Sequence, residues 1–229
     1  MTKDIYLNDY VAGGYFITKY VEREKWMSAH LLSHKLLSIS ELIADLAPTT
    51  YPLIEAESDI YEQYGIAPEI IPAVKQWWTE NDRKEIGWQH TFYELGFAQQ
   101  FVKRFLTKIE DVAILGVAVH RKYVSLLLDG YDPKTACGVE EVVARGFSPA
   151  PGKGLGFDIL SYEYCRFDSW ITPSYPQVIF KELHIKPNEY GFIDTLEEAD
   201  RCDEFMSASD DMALHGWWMP WLMITYPLE

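Results

Sequence analysis

Val112-Ala-Ile-Leu-Gly-Val-Ala-Val119 is a continuous apolar run of strand length, rich in β-branched residues and carrying Gly116 where a polar face would begin. This composition predicts a buried strand. On its N-terminal side the pattern changes. Leu32, Leu36, Ile39, Ile43 and Leu46 recur at spacings of four, three, four and three, the signature of one face of an amphipathic helix. That periodicity predicts a helix from about Lys19 to Leu46, ended by Pro48 and preceded by a turn at Gly13-Gly14. Ser58 to Tyr64 is expected to form a short helix capped by Ser58 or Asp59. Ala67 to Thr79 is expected to form another, with Pro68 in its first turn. From Thr91 to Ile109, the residues Phe92, Leu95, Gln99, Val102, Phe105 and Ile109 again fall at helical spacing.

On the C-terminal side, Lys122 to Leu128 reads as a short helix, closed by turn signals at Asp129-Gly130 and Asp132-Pro133. Gly138 to Arg145, Leu155 to Tyr164 and Trp217 to Tyr226 read as strands, and Pro176 to Ile185 and Thr195 to Met206 as helices. Ser148 to Gly154 is a loop by composition. The expected fold class is α+β, with a mainly helical part at residues 1–110 followed by a mixed α/β part with a small sheet at 111–229. No long polar linker separates the two, so one continuous domain stays open.

The chain of 229 residues is long enough to bury a large core, and 48% of it is hydrophobic. Its charge is lopsided: 35 acidic against 20 basic residues leave a formal charge of −15. Such a field repels nucleic acid and anionic membranes and attracts basic proteins. No opening stretch has the form of a signal peptide, since Asp4, Asn8 and Asp9 interrupt it. The most apolar run, Trp217 to Ile224, is shorter than a membrane span. Cys137, Cys165 and Cys202 lie far apart in no CxxC pairing, which points to a reducing cytoplasm and to no structural zinc.

Motifs for catalysis are weak. His30 and His34 stand four apart on the first predicted helix, but no HExxH pattern accompanies them, and a solvent-facing or core-edge pair is favoured over metal ligands. Pro151-Gly-Lys-Gly-Leu-Gly156 lacks the order of a phosphate loop and leads into a predicted strand. No GxSxG elbow is present, and nothing beyond their presence links His120, His184 or His215 to Ser161 or Cys165. No catalytic residue, metal or cofactor is assigned.

Two acidic concentrations stand out. Glu55, Glu57, Asp59, Glu62 and Glu69 follow one another with no intervening Lys or Arg. Glu189 to Asp211 includes Glu189, Asp194, Glu197, Glu198, Asp200, Asp203, Glu204, Asp210 and Asp211 against the single Arg201. Neither has the DxDxDG calcium pattern, so the functional alternative to a solvated helix face is contact with a basic protein. The candidate partner-binding residues are Glu55, Glu57, Asp59, Glu62, Glu197, Glu198, Asp200, Asp203 and Glu204. Trp217, Trp218 and Trp221 are read as core by default and as interface anchors in the alternative.

Leu155-Gly-Phe-Asp-Ile-Leu-Ser-Tyr-Glu-Tyr164, Phe167-Asp-Ser-Trp170 and Asn188-Glu-Tyr-Gly-Phe-Ile193, followed by Glu197-Glu-Ala199, resemble a class of bacterial cytoplasmic proteins. Many of these look like immunity proteins of polymorphic toxin or contact-dependent inhibition systems. The likeness covers the last 120 or so residues. Ser161 stands where a glycine is usual, and Asp168 where a histidine is usual. The resemblance implies a non-enzymatic inhibitor that binds a cognate toxin domain, and a nuclease toxin would offer the basic surface that the charge argument asks for. The other readings are a carboxylate- or metal-dependent hydrolase using His30 or His184, and a scaffold or phage-encoded interaction protein.

Overall fold

Val112–His120 is a strand, as its composition predicts, and it lies in the interior of a sheet with neighbours on both sides. The computed structural model describes residues 6–42, 67–81, 84–87, 91–134, 138–163, 166–171, 175–208 and 218–228. Within them the strands are β1 (Tyr10–Glu22), β2 (Lys35–Leu42), β3 (Val112–His120), β4 (Lys153–Glu163), β5 (Arg166–Ser169) and β6 (Trp218–Tyr226). The α-helices are α1 (Ile71–Asn81), α2 (Leu95–Phe105), α3 (Val124–Leu127), α4 (Val139–Ala144), α5 (Tyr175–Leu183) and α6 (Leu196–Ala208). The sheet order is β2-β1-β3-β6-β4-β5, and every neighbouring pair is antiparallel.

The expected helix from Lys19 to Leu46 is therefore corrected. Lys19 to Glu22 complete β1, and Lys35–Leu42 is β2, paired through Tyr20 with Leu37 and Val21 with Leu36. The physical reason lies in Tyr15-Phe-Ile-Thr-Lys-Tyr-Val21, a run of aromatic and β-branched residues that prefers a pleated surface. The apparent helical face does not hold, because Leu32 is exposed while the adjacent Leu36 and Leu37 are both buried. Buried neighbours in sequence belong to a strand covered on both faces. The first part of the chain is thus not a helical unit. It contributes two of the six strands, and β1 pairs with β3 across residue 110.

Gly13-Gly14 is not a turn either but a bulge, where the register of β1 against β3 shifts between Ala12 and Gly14. Gly14 has φ +115°, and a Cβ there would lie 2.4 Å from Thr91 Cγ2. At Gly13 a Cβ would meet the Trp221 ring at 2.6 Å. The bulge thus admits a loop on one face and an indole on the other. The expected strand at Gly138 to Arg145 is also corrected, since Val139–Ala144 is helical. Its buried residues Val139, Val142 and Val143 follow an i, i+3, i+4 spacing, and that periodicity outweighs the β-preference of valine.

Both faces of the sheet are buried. On one, Phe16 of β1 meets Phe167 of β5 with ring centroids 6.0 Å apart, although three strands lie between them in the sheet order. The sheet therefore curls until its edge strands β2 and β5 touch, and Trp221 fills the interior against Phe167 at 5.0 Å. On the other face, Trp77 and Trp78 of α1 form an aromatic cluster with Phe92 and with Phe101 and Phe105 of α2. Phe92 exchanges two backbone hydrogen bonds with Tyr15, which pins this layer to the bulged strand. Helix α6 covers β4 and β6. Trp218 and Trp221 are core residues, in agreement with the default expectation for them.

Candidate functional site

Helix α6 begins where Thr195 accepts a hydrogen bond on Oγ1 from the Glu198 backbone N–H at 3.2 Å and donates to the Glu198 carboxylate at 3.1 Å. This closes the first turn much as a capping box does. Glu198 is thereby engaged in starting the helix. Ala199, Cys202 and Met206 face inward, and burial pushes the Cys202 thiol up to about 12. Glu197, Arg201 and Glu204 consequently face solvent.

Asp200 and Asp203 lie between these two faces. Asp200 pairs with Lys122 and accepts from the Tyr123 hydroxyl at 2.5 Å. The Tyr123 phenol is pushed up, first by burial and then by that bond. Asp203 is raised to about 6, chiefly by burial; Asp200 and Glu204 raise it further, while Ser207 and Lys122 act the other way. His120, at the end of β3, accepts on Nδ1 from the Lys122 backbone N–H and is lowered by burial and by Lys122.

One short 3₁₀ turn, Arg121–Tyr123, organises this region. Lys122 and Tyr123 hold α6 through Asp200, while Arg121 Nε donates to the Asn8 carbonyl at 2.8 Å and its Nη2 reaches the Gly146 carbonyl at 3.5 Å. Asp9 and Asp200 both act electrostatically on Tyr10 and His120. This turn thus touches helix α6, the chain around Asn8 and the loop around Gly146.

Of the sequence-derived candidates, Glu55, Glu57, Asp59 and Glu62 lie outside the described residues, as does the short helix expected at residues 58–64. Glu197 and Glu204 are exposed, Glu198 is held in the helix start, and Asp200 and Asp203 turn toward the protein. His30 and His34 stand in the connection between β1 and β2, not on a helix, and the His30 ring lies 4.0 Å from that of Phe180. Lys153 opens β4 and donates to the Tyr190 hydroxyl at 2.7 Å, so it is not part of a phosphate-binding turn. Ser161 is buried in β4, and His184 is exposed at the end of α5.

Sequence reasoning passed over Asp158, which is wholly buried in β4 directly across from Trp221. Ser169 Oγ lies 3.0 and 2.9 Å from its two carboxyl oxygens. Burial raises this acid from its ordinary 3.8 to about 8, against the opposing hydrogen bonds from Ser169 and the Ile159 backbone. With a value near 8 the acid keeps its proton at neutral pH, and one carboxyl oxygen can then donate to Ser169 Oγ while the hydroxyl donates to the other. The clue in the sequence is an acid between Phe157 and Ile159, on the same strand face as Leu160.

No protein-family model, no curated protein and no solved structure matches this chain. Among the described residues no group of three or more His, Cys, Asp or Glu is placed to hold a metal ion, and no helix is long and apolar enough to cross a membrane.

Proposed function

We propose that this chain is a non-enzymatic protein-binding protein of the immunity type, which neutralises a cognate toxin domain by covering its basic surface. The observation that carries this reading is the charge of −15, together with a helix that turns Glu197 and Glu204 to solvent. Electrostatic complementarity of this kind accelerates encounter and selects the partner, and it weakens steeply with salt. The likeness of residues 155–199 to immunity proteins points in the same direction.

The test is to mix the purified chain with the C-terminal domain of the polypeptide encoded by the adjoining reading frame. A complex that forms rapidly at low salt, slows as salt rises and protects cells expressing that domain is the expected result. Replacing Glu197 and Glu204 together by Lys should slow association about tenfold without changing the melting temperature. Absence of both complex and protection refutes the immunity reading. A complex whose rate ignores the double reversal removes α6 from the binding surface.

A further inference from the structure

Helix α2 carries a half-open groove of about 530 Å³ along one face, within the roughly 300–1,000 Å³ that small-molecule sites occupy. Gly96, Gln99, Lys103 and Thr107 recur along it at helical spacing, and Leu228, beyond β6, also lines it. Val102, Leu106 and Ile109 supply an aliphatic wall. Two features of the groove have no counterpart in the packing around it. Gly96 stands in the first turn of α2, where glycine supports a helix less well than alanine. Its φ is not left-handed, and a Cβ there would meet nothing within 4 Å, so no contact among the described residues requires its absence. Lys103 is the one ionisable group in the lining; it is exposed, and none of the described residues pairs with it. Its surroundings are basic: Leu95 to Ile109 holds Lys103, Arg104 and Lys108 and no acid, in a chain of net charge −15. Arg104 lies over the Phe105 ring at 5.0 Å. Of the neighbouring acids, Glu94 and Glu110 flank this stretch outside the lining, Asp111 is paired with Lys35, and Glu229 falls outside the described residues. Basic residues at a helix C-terminus complement its dipole, which accounts for their sign but not for the bare glycine or the groove.

We propose that this groove is a binding site for a small aliphatic carboxylate, its head at Lys103 and its hydrocarbon along the wall of Val102, Leu106 and Leu228. Such a site is separate from the toxin-binding role proposed above. The lining selects the ligand. Its apolar side chains are all aliphatic, which suits a flexible hydrocarbon rather than a ring that needs an aromatic neighbour. One ammonium matches one negative charge, whereas phosphate is commonly gripped by several donors or an arginine fork. The Gln99 and Gln100 amides and the Thr107 hydroxyl supply neutral donors for the second carboxylate oxygen. Gly96 stands seven residues before Lys103, about 10 Å along the helix axis, and its missing side chain leaves that end of the groove open. The open end sets the length of ligand the groove admits.

The test titrates the full chain with decanoate below its micellar concentration, followed by calorimetry and by amide shifts in the nuclear magnetic resonance spectrum. The expected result is saturable binding at one site, with the shifts concentrated in α2 and at Leu228. Lys103→Glu, which reverses the charge at the head, and Gly96→Leu, which fills the open end, should each weaken binding about tenfold or more. Lys25→Glu makes the same charge change in the connection after β1 and should bind as the wild type does. Gly96→Leu should melt no lower than the wild type, which separates a blocked groove from a damaged fold. Absence of wild-type binding, or binding that Lys103→Glu and Gly96→Leu both retain within about twofold, overturns the site. Octyl glucoside, with a similar hydrocarbon and a neutral head, should shift the α2 amides far less; equal affinity refutes the carboxylate assignment. Every one of these measurements uses the chain alone, so a failure here leaves the toxin-binding reading standing.

Discussion

Replacing Asp158 with Asn should leave the protein nearly unchanged near pH 4 and make it increasingly more stable than the wild type as pH rises toward 8. The acid is fully buried with Ser169 as its polar partner, and its folded value stands near 8 against an ordinary 3.8. Across that interval the folded protein keeps a proton that the unfolded chain has released. Stability from this group is therefore complete below the ordinary value and is lost as pH rises toward 8. The slope is about 1.4 kcal/mol per pH unit, so a rise from pH 5 to pH 8 costs the wild type on the order of 4 kcal/mol through this residue. Asparagine keeps the shape, donates to Ser169 Oγ through its amide and does not titrate. Urea unfolding followed by tryptophan fluorescence, at fixed ionic strength and several pH values, isolates the effect as wild type minus variant, in which the other carboxylates cancel. The difference should be within about 1 kcal/mol at pH 4, reach on the order of 1.5 kcal/mol at pH 5 and grow steadily in favour of the variant toward pH 8. A difference that stays flat with pH would refute the buried neutral acid.

Two other substitutions examine the bulge of β1 and the start of α6. Gly14→Ala combines a positive φ with a contact at 2.4 Å from Thr91, and should lower stability by about 3 kcal/mol in the same urea assay. Thr195→Ala removes the closure of α6 and should cost about 1 kcal/mol, with faster amide exchange confined to the residues that follow.

Those elements whose burial pattern had one interpretation were legible in the sequence. The strands β3, β4 and β6 are apolar stretches of strand length, and α1, α2, α5 and α6 have helical spacing with Pro68 or Thr195 at a start. The failures came where two periodicities coincide. Leu32, Leu36 and Ile39 fit a helical face, yet the decisive contacts of β2 are with Val21 and Tyr20, residues that only the fold brings near. Val139, Val142 and Val143 have the chemistry of a strand and the spacing of a helix. At the surface, the acidity of α6 was legible, but the direction of each carboxylate depends on which residues dock the helix. Ala199, Cys202 and Met206 set that phase, leaving Glu197 and Glu204 outside and turning Asp200 toward Tyr123.

Strand β6 follows every other strand in sequence, yet it lies between β3 and β4. During synthesis the chain accordingly holds two unfinished pieces, β2-β1-β3 and β4-β5, each with an open edge that waits for the same segment. The indole of Trp221 and the cover for Asp158 arrive together with that segment. Assembly thus ends in a single closing insertion, and a ribosome stalled before Trp218 would carry a nascent chain with neither half of its sheet joined to the other.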